Sequence, residues 1–160
     1  MGRRRTSRTA DALGAGLASA AALAFAAGCG GGGGSKPREA CAEFEASASL
    51  NLYDGEPHPI TVWVYPLSSS SAFGQTSAAE LLEGALPAGA VAPAVPLTLA
   101  PGEKRSFEEV FPAETQQLGL LADYYRAPGD PEGTRTQIVK ARCGRGKPKL
   151  VLSPKDIYPK

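Results

Sequence analysis

Residues able to move protons, hold a metal or attack a carbonyl are few in this sequence. Its one histidine, His58, stands between Pro57 and Pro59. It has no second histidine as a metal partner and no serine or cysteine at a nucleophile turn, so it reads as a solvated loop residue. Asp54 with Glu56 and Glu108 with Glu109 are carboxylate pairs of the type glycoside hydrolysis uses. Acids that close together on strands and loops are more simply explained as solvated faces. The glycine run Gly30–Gly34 lacks the Gly-Lys-Ser/Thr ending and the preceding strand of a phosphate loop. Trp63, Tyr65, Tyr124 and Tyr125 fall in two strand-like runs, where they read as core or as a sugar-stacking face. No catalytic residue, metal set or cofactor site emerges. What remains is binding or scaffolding.

The cysteines carry more information. Arg3, Arg4, Arg5 and Arg8 precede 17 uncharged residues from Ala12 to Gly28, most of them alanine. A basic flank and an apolar stretch shorter than the roughly 20 residues of a spanning helix form a secretory signal peptide. It ends in Ala26-Ala27-Gly28-Cys29, small residues before a cysteine as in the lipobox of bacterial lipoproteins, with Ala26 where leucine is usual. Residues 1–28 then form the signal peptide, Cys29 is acylated, and residues 29–39 form a glycine-rich tether. No aspartate follows Cys29, which points to the outer membrane. Acylation leaves Cys41 and Cys143 as an even pair in an oxidising compartment, where a bridge between them is expected.

At 160 residues the chain allows one folded domain, and its 42% hydrophobic and 21% charged content is that of a globular protein. Its formal charge of +1 argues against a strongly basic nucleic-acid binder. The signal peptide takes four of the 17 basic and one of the 16 acidic residues, so the mature domain is near −2.

Beyond Ala40 the clear periodicity is every second residue, the mark of strands with one buried face. Phe44, Ala46, Ala48, Leu50 and Leu52 line one side of a first strand, with Glu43, Glu45, Ser47 and Ser49 opposite. Ile60–Tyr65 is apolar or aromatic on both faces and reads as a central strand. Between these two lies Tyr53-Asp54-Gly55-Glu56-Pro57-His58-Pro59, whose Asp-Gly and prolines forbid a ladder and favour a protruding turn. Ser77 and Glu80 have capping-box spacing before Leu81-Leu82, which predicts a short helix ending near Gly84 inside a helical insert over 68–96. Leu97 and Leu99 open another strand, which turns at Pro101-Gly102-Glu103 and returns over Arg105–Val110 with Phe107 inward. Gln117–Arg126 alternates again, Ala127–Gly133 is a loop, and Thr134–Arg142 and Lys149–Leu152 close the fold. About seven short strands predict a mainly β, two-sheet sandwich over residues 40–160.

In order, the lipobox, the tether, Leu50-Asn51, Gly55 and Pro57, Val62–Tyr65 with Leu67, Phe73, Pro101-Gly102, and Leu118–Ala122 followed by Tyr124–Arg126 resemble the TssJ (SciN/VasD-like) family. These are outer-membrane lipoproteins of bacterial type VI secretion systems. Leu52 stands where the family often has proline, and Thr134–Thr136 lacks a tryptophan common there. The resemblance implies a transthyretin-like sandwich with a small helical insertion. It implies a partner, the periplasmic C-terminal domain of the inner-membrane protein TssM, in a multi-copy membrane complex anchored through lipid. It also implies partner contact by the loop between the first two strands, here Tyr53–Pro59. The loop's acidic tip and restricted backbone suit docking on a basic patch, with the 68–96 insert as a second candidate. A free-standing periplasmic or surface lipoprotein that binds a glycan or small ligand is the other reading.

Overall fold

The computed structural model describes residues 36–127 and 134–160. The signal peptide, Cys29 and most of the tether lie outside the described residues. Among those described are eight strands: β1 (Arg38–Ala46), β2 (Ile60–Leu67), β3 (Val95–Leu99), β4 (Lys104–Phe111), β5 (Gln117–Ala122), β6 (Thr136–Lys140), β7 (Lys149–Leu152) and β8 (Ile157–Pro159). A 3-10 turn over Phe73–Gln75 and one helix, α1 (Ala78–Leu82), lie between β2 and β3. No helix among the described residues is long and apolar enough to cross a membrane.

The strands form two four-stranded sheets, β4-β1-β7-β8 and β3-β2-β5-β6, called first and second below. Within the first, β1 and β7 run parallel, and the other pairings are antiparallel. The period-two pattern is what stacks them. Phe44, Phe107, Phe111, Leu150 and Leu152 from the first sheet meet Ile60, Val62, Val64, Leu118 and Leu120 from the second in one buried core. Burying such a side chain stabilises the fold by about 1.5–3 kcal/mol. As its two apolar faces required, β2 is central, flanked by β3 and β5.

Three expectations change. The first strand stops at Ala46 rather than running to Leu52. There Ser47 Oγ accepts from Ser49 N at 3.2 Å, and Leu50 N bonds Ser47 O at 3.0 Å. Serine hydroxyls offer the backbone a local alternative to the ladder, so alternation of residue type outlasts the strand. Leu50 is still fully buried, but Ala48 and Leu52 face solvent. The second change is at Pro101-Gly102-Glu103, which builds no hairpin: it carries the chain from β3 in the second sheet to β4 in the first. The third is β8, three residues ending in proline, too short to show a period.

One outer face is not solvated. Tyr65, Leu67 and Leu121 point away from the inter-sheet core and form a second buried cluster with Phe73 and Leu81 of the insert. The insert is held by the expected capping box, in which Ser77 Oγ accepts from Glu80 N and the Glu80 carboxylate accepts from Ser77 N. Gly119 makes the seat: a Cβ there would lie 2.7 Å from Phe73 Cε2 and 2.9 Å from Leu67 Cδ1.

Cys41 and Cys143 are joined by a disulfide with Cα atoms 4.8 Å apart. Cys41 also bridges Arg142 backbone to backbone, so the link holds β1 near its start to the segment that follows β6.

Candidate interaction site

The loop between β1 and β2 is a small braced structure. Tyr53 and Glu56 pair backbone to backbone, with Tyr53 N donating to Glu56 O at 3.2 Å and Glu56 N to Tyr53 O at 3.0 Å. Asp54 and Gly55 between them have φ of 52° and 81°. Two central residues at positive φ make a primed turn, which Asp-Gly favours. The expectation that no ladder forms here is therefore corrected: a two-residue ladder does form, and the prolines follow it. His58 N then donates to Leu50 O at 3.0 Å, which ties the loop back to the buried turn.

His58 is not a freely solvated side chain. Its ring stacks on Tyr53 with centroids 3.6 Å apart and planes 14° from parallel, and its Nε2 is buried without a hydrogen-bond partner. On Tyr53 also rests Tyr125, at 4.4 Å and 37°. Asn51, buried and at φ 48°, joins these segments: its Nδ2 donates to Pro59 O at 3.3 Å and its Oδ1 accepts from Tyr125 N at 2.7 Å. The arrangement leaves Asp54, Gly55, Glu56, Pro57 and Pro59 exposed on a rigid base.

The sequence does not single out Asn51 and Tyr125 as parts of this hairpin, since Leu50-Asn51 stands out only through the family resemblance and Tyr125 reads as core or as part of a sugar-stacking face. The usable signal was asparagine itself, which tolerates positive φ more readily than most residues.

The other singled-out residues fall elsewhere. Tyr124 is buried, its hydroxyl donates to Asp156 O at 2.7 Å, and burial first, then Asp156 and Tyr158, pushes its ionisation well above the usual tyrosine range. Tyr65 donates to Leu81 O under the insert, Trp63 is half-buried beside it, and Tyr125 is exposed at the hairpin. The four aromatic residues share no common exposed platform. Glu108 and Glu109 are neighbours on β4 and so face opposite ways. Among the described residues no three histidine, cysteine, aspartate or glutamate side chains gather as a metal site. An apolar recess of about 220 Å³ lies between α1 and β2, lined by Trp63, Tyr65, Leu82, Leu86 and Pro93 among others.

Position along the sandwich matters as much as local geometry. Arg38, where β1 begins, pairs with Phe111, and from there the chain reaches Gln116, whose N bonds Leu67 O at the far end of β2. Ala46, where β1 stops, bonds Glu103 beside the end of β3 that pairs with Ile60. The chain thus comes into the domain at one end, and the 53–59 hairpin projects from the other.

Two four-stranded sheets with one short helix make the mainly β, transthyretin-like sandwich that the sequence led us to expect. Residues 38–150 match the family T6SS-SciN, type VI secretion lipoprotein (VasD, EvfM, TssJ), and the chain belongs to it. Solved structures agree on the fold. The T6SS lipoprotein TssJ1 from Pseudomonas aeruginosa is 24% identical with a TM-score of 0.62 over 78% of this chain and 96% of that one. Serratia marcescens Lip, a membrane-bound component of the type VI secretion system, is 16% identical with a TM-score of 0.65 over 78% and 97%. A chain in the structure of the T6SS protein TssM C-terminal domain from EAEC is 16% identical with a TM-score of 0.64 over 77% and 98%. No curated sequence matches the chain at a significant level.

Proposed function

We propose that this lipoprotein is the outer-membrane anchor of a type VI membrane complex. Lipid on Cys29 holds it to the membrane, and the Tyr53–Pro59 hairpin holds the periplasmic C-terminal domain of a TssM-like inner-membrane protein. The observation that carries this reading is the separation of the two ends by the length of β1, nine residues or about 30 Å. The tether joins the domain at the end away from the hairpin, which leaves the hairpin free for a partner. The braced loop lowers the ordering cost of docking, and Asp54 and Glu56 favour a basic patch and a salt-sensitive association.

Two measurements test it. Cys29→Ser should move the protein to the soluble periplasmic fraction with its fold intact, and the unaltered protein should take up labelled palmitate; no label would remove the anchor. Replacing Asp54-Gly55-Glu56 by Gly-Ser-Gly should weaken capture of the TssM periplasmic domain at least about tenfold, or 1.4 kcal/mol, with little change in melting temperature. Unchanged affinity in a surface-plasmon titration would take the hairpin out of the interface and turn attention to the 68–96 insert.

A further inference from the structure

Two large side chains, Leu52 and Tyr125, stand exposed at the hairpin end. Leu52 is 43% and Tyr125 52% exposed. They come from segments more than 70 positions apart, yet Tyr125 packs on the ring of Tyr53, the residue next to Leu52 in the chain. Leu52 lies between buried Asn51 and half-buried Tyr53 in the chain, and Tyr125 packs on the Tyr53 ring while Asn51 accepts its N–H. Their exposure is therefore held in place by a buried polar brace and is not fraying at a loop end. Next to them are the exposed carboxylates Asp54 and Glu56, with Asp123 exposed two residues before Tyr125. Arg126, the cation nearest in sequence, is half-buried and already engaged within the chain.

We propose that Leu52, Tyr53 and Tyr125 form a docking shelf beside the hairpin tip, and that it receives an apolar side chain of the partner protein set among lysines or arginines. The inference rests on the docking role proposed above for the hairpin and extends it to a second segment of the chain. The chemistry divides the work. Tyrosine is among the residues that carry most energy at protein interfaces, because it buries a large rigid area at small entropic cost. The acids around it supply orientation and association rate, which salt screens. The shelf needs the ring of Tyr125 and not its hydroxyl.

The test uses the detergent-solubilised full-length protein and the immobilised periplasmic C-terminal domain of the TssM-like partner, titrated over a range of salt. Tyr125→Ala and Leu52→Ser should each weaken binding, the former by about tenfold, and Tyr125→Phe should stay within about twofold. Tyr125→Ala should leave the slope of affinity against salt unchanged, whereas Asp54→Asn with Glu56→Gln should flatten it. If the Gly-Ser-Gly hairpin weakens capture while Tyr125→Ala and Leu52→Ser do not, the hairpin docks and the shelf is overturned. If none of these variants weakens capture, the shelf and the docking hairpin fall together. Should Tyr125→Ala lower the melting temperature, Leu52→Ser decides the question alone, since its side chain is exposed and outside both buried clusters.

Discussion

The outer faces of the two sheets solve the same problem in opposite ways. On the first sheet, Glu43 is paired with Lys147 at 2.7 Å and Lys149 at 3.2 Å, and Glu45 with Lys104 at 2.9 Å and Lys160 at 2.5 Å. The strands on that face and the residues flanking them supply charges for one another, and water does the rest. On the second sheet the corresponding positions are Tyr65, Leu67, Gly119 and Leu121, which have no business in water. That face had to be roofed, and the segment between β2 and β3 is the roof. A sheet with a polar outer face is complete when its strands pair; one with an apolar outer face is complete only when a further piece of chain lands on it. The difference predicts unequal sensitivity to substitution.

The largest effect should come from Phe73→Ala. Phe73 is 1% exposed and wedges the insert onto Gly119, so its removal should cost about 3–5 kcal/mol in urea unfolding, as buried aromatic truncations do. A loss within the range of a surface substitution would mean that the roof does not depend on its wedge. Gly119→Ala should cost less, about 1–3 kcal/mol, because one methyl at 2.7 Å from the Phe73 ring forces a shift rather than a void. Combined with Phe73→Ala it should cost less than it does alone, since the ring's part of the clash is gone and only Leu67 Cδ1 at 2.9 Å must give, and a double-mutant cycle would read that coupling directly.

The smallest effect belongs to the charged face. Glu45 is held at about 2, mainly by its hydrogen bonds with Lys160 and then Lys104, and Glu43 is held below its ordinary value by Lys147 and Lys149. Carboxyls whose folded values lie below the unfolded one favour the folded state above about pH 4.5. That contribution is lost as pH falls toward 2. Glu43→Gln with Glu45→Gln should therefore lower the melting temperature slightly at pH 7 and flatten its decline over that interval by the same small amount, because exposed pairs contribute little. An unaltered acid limb would show that the pairs have no thermodynamic role.

Legibility followed the same division. Where a residue's role is set by its neighbours in sequence, it could be read: the alternation of β1 and β2, the capping box at Ser77 and Glu80, the reversal at Asp54-Gly55. Where the role is set by a distant partner, it could not. Ser47-Ala48-Ser49 alternates like a strand, and only its hydroxyl bonding ends the ladder. The turn at Gly102 announces a change of direction without saying which sheet receives the chain. At the hairpin, the loop was plain from its glycine and prolines, but its brace spans the 74 positions from Asn51 to Tyr125, a distance no local pattern bridges.

The course of β1 has a mechanical meaning. A pull applied at residue 36 and resisted at the hairpin runs along the axis of β1, so its hydrogen bonds to β4 and β7 are loaded together in shear instead of opening one after another as in a zipper. The Cys41–Cys143 bond lies close to where that pull arrives. With it closed, only the few residues ahead of Cys41 can be stripped from the sheet before the strain passes through a covalent bond into the segment that follows β6. With it reduced, the whole of β1 becomes the fuse. Under a pull at those two ends, the disulfide decides how much of the domain gives way.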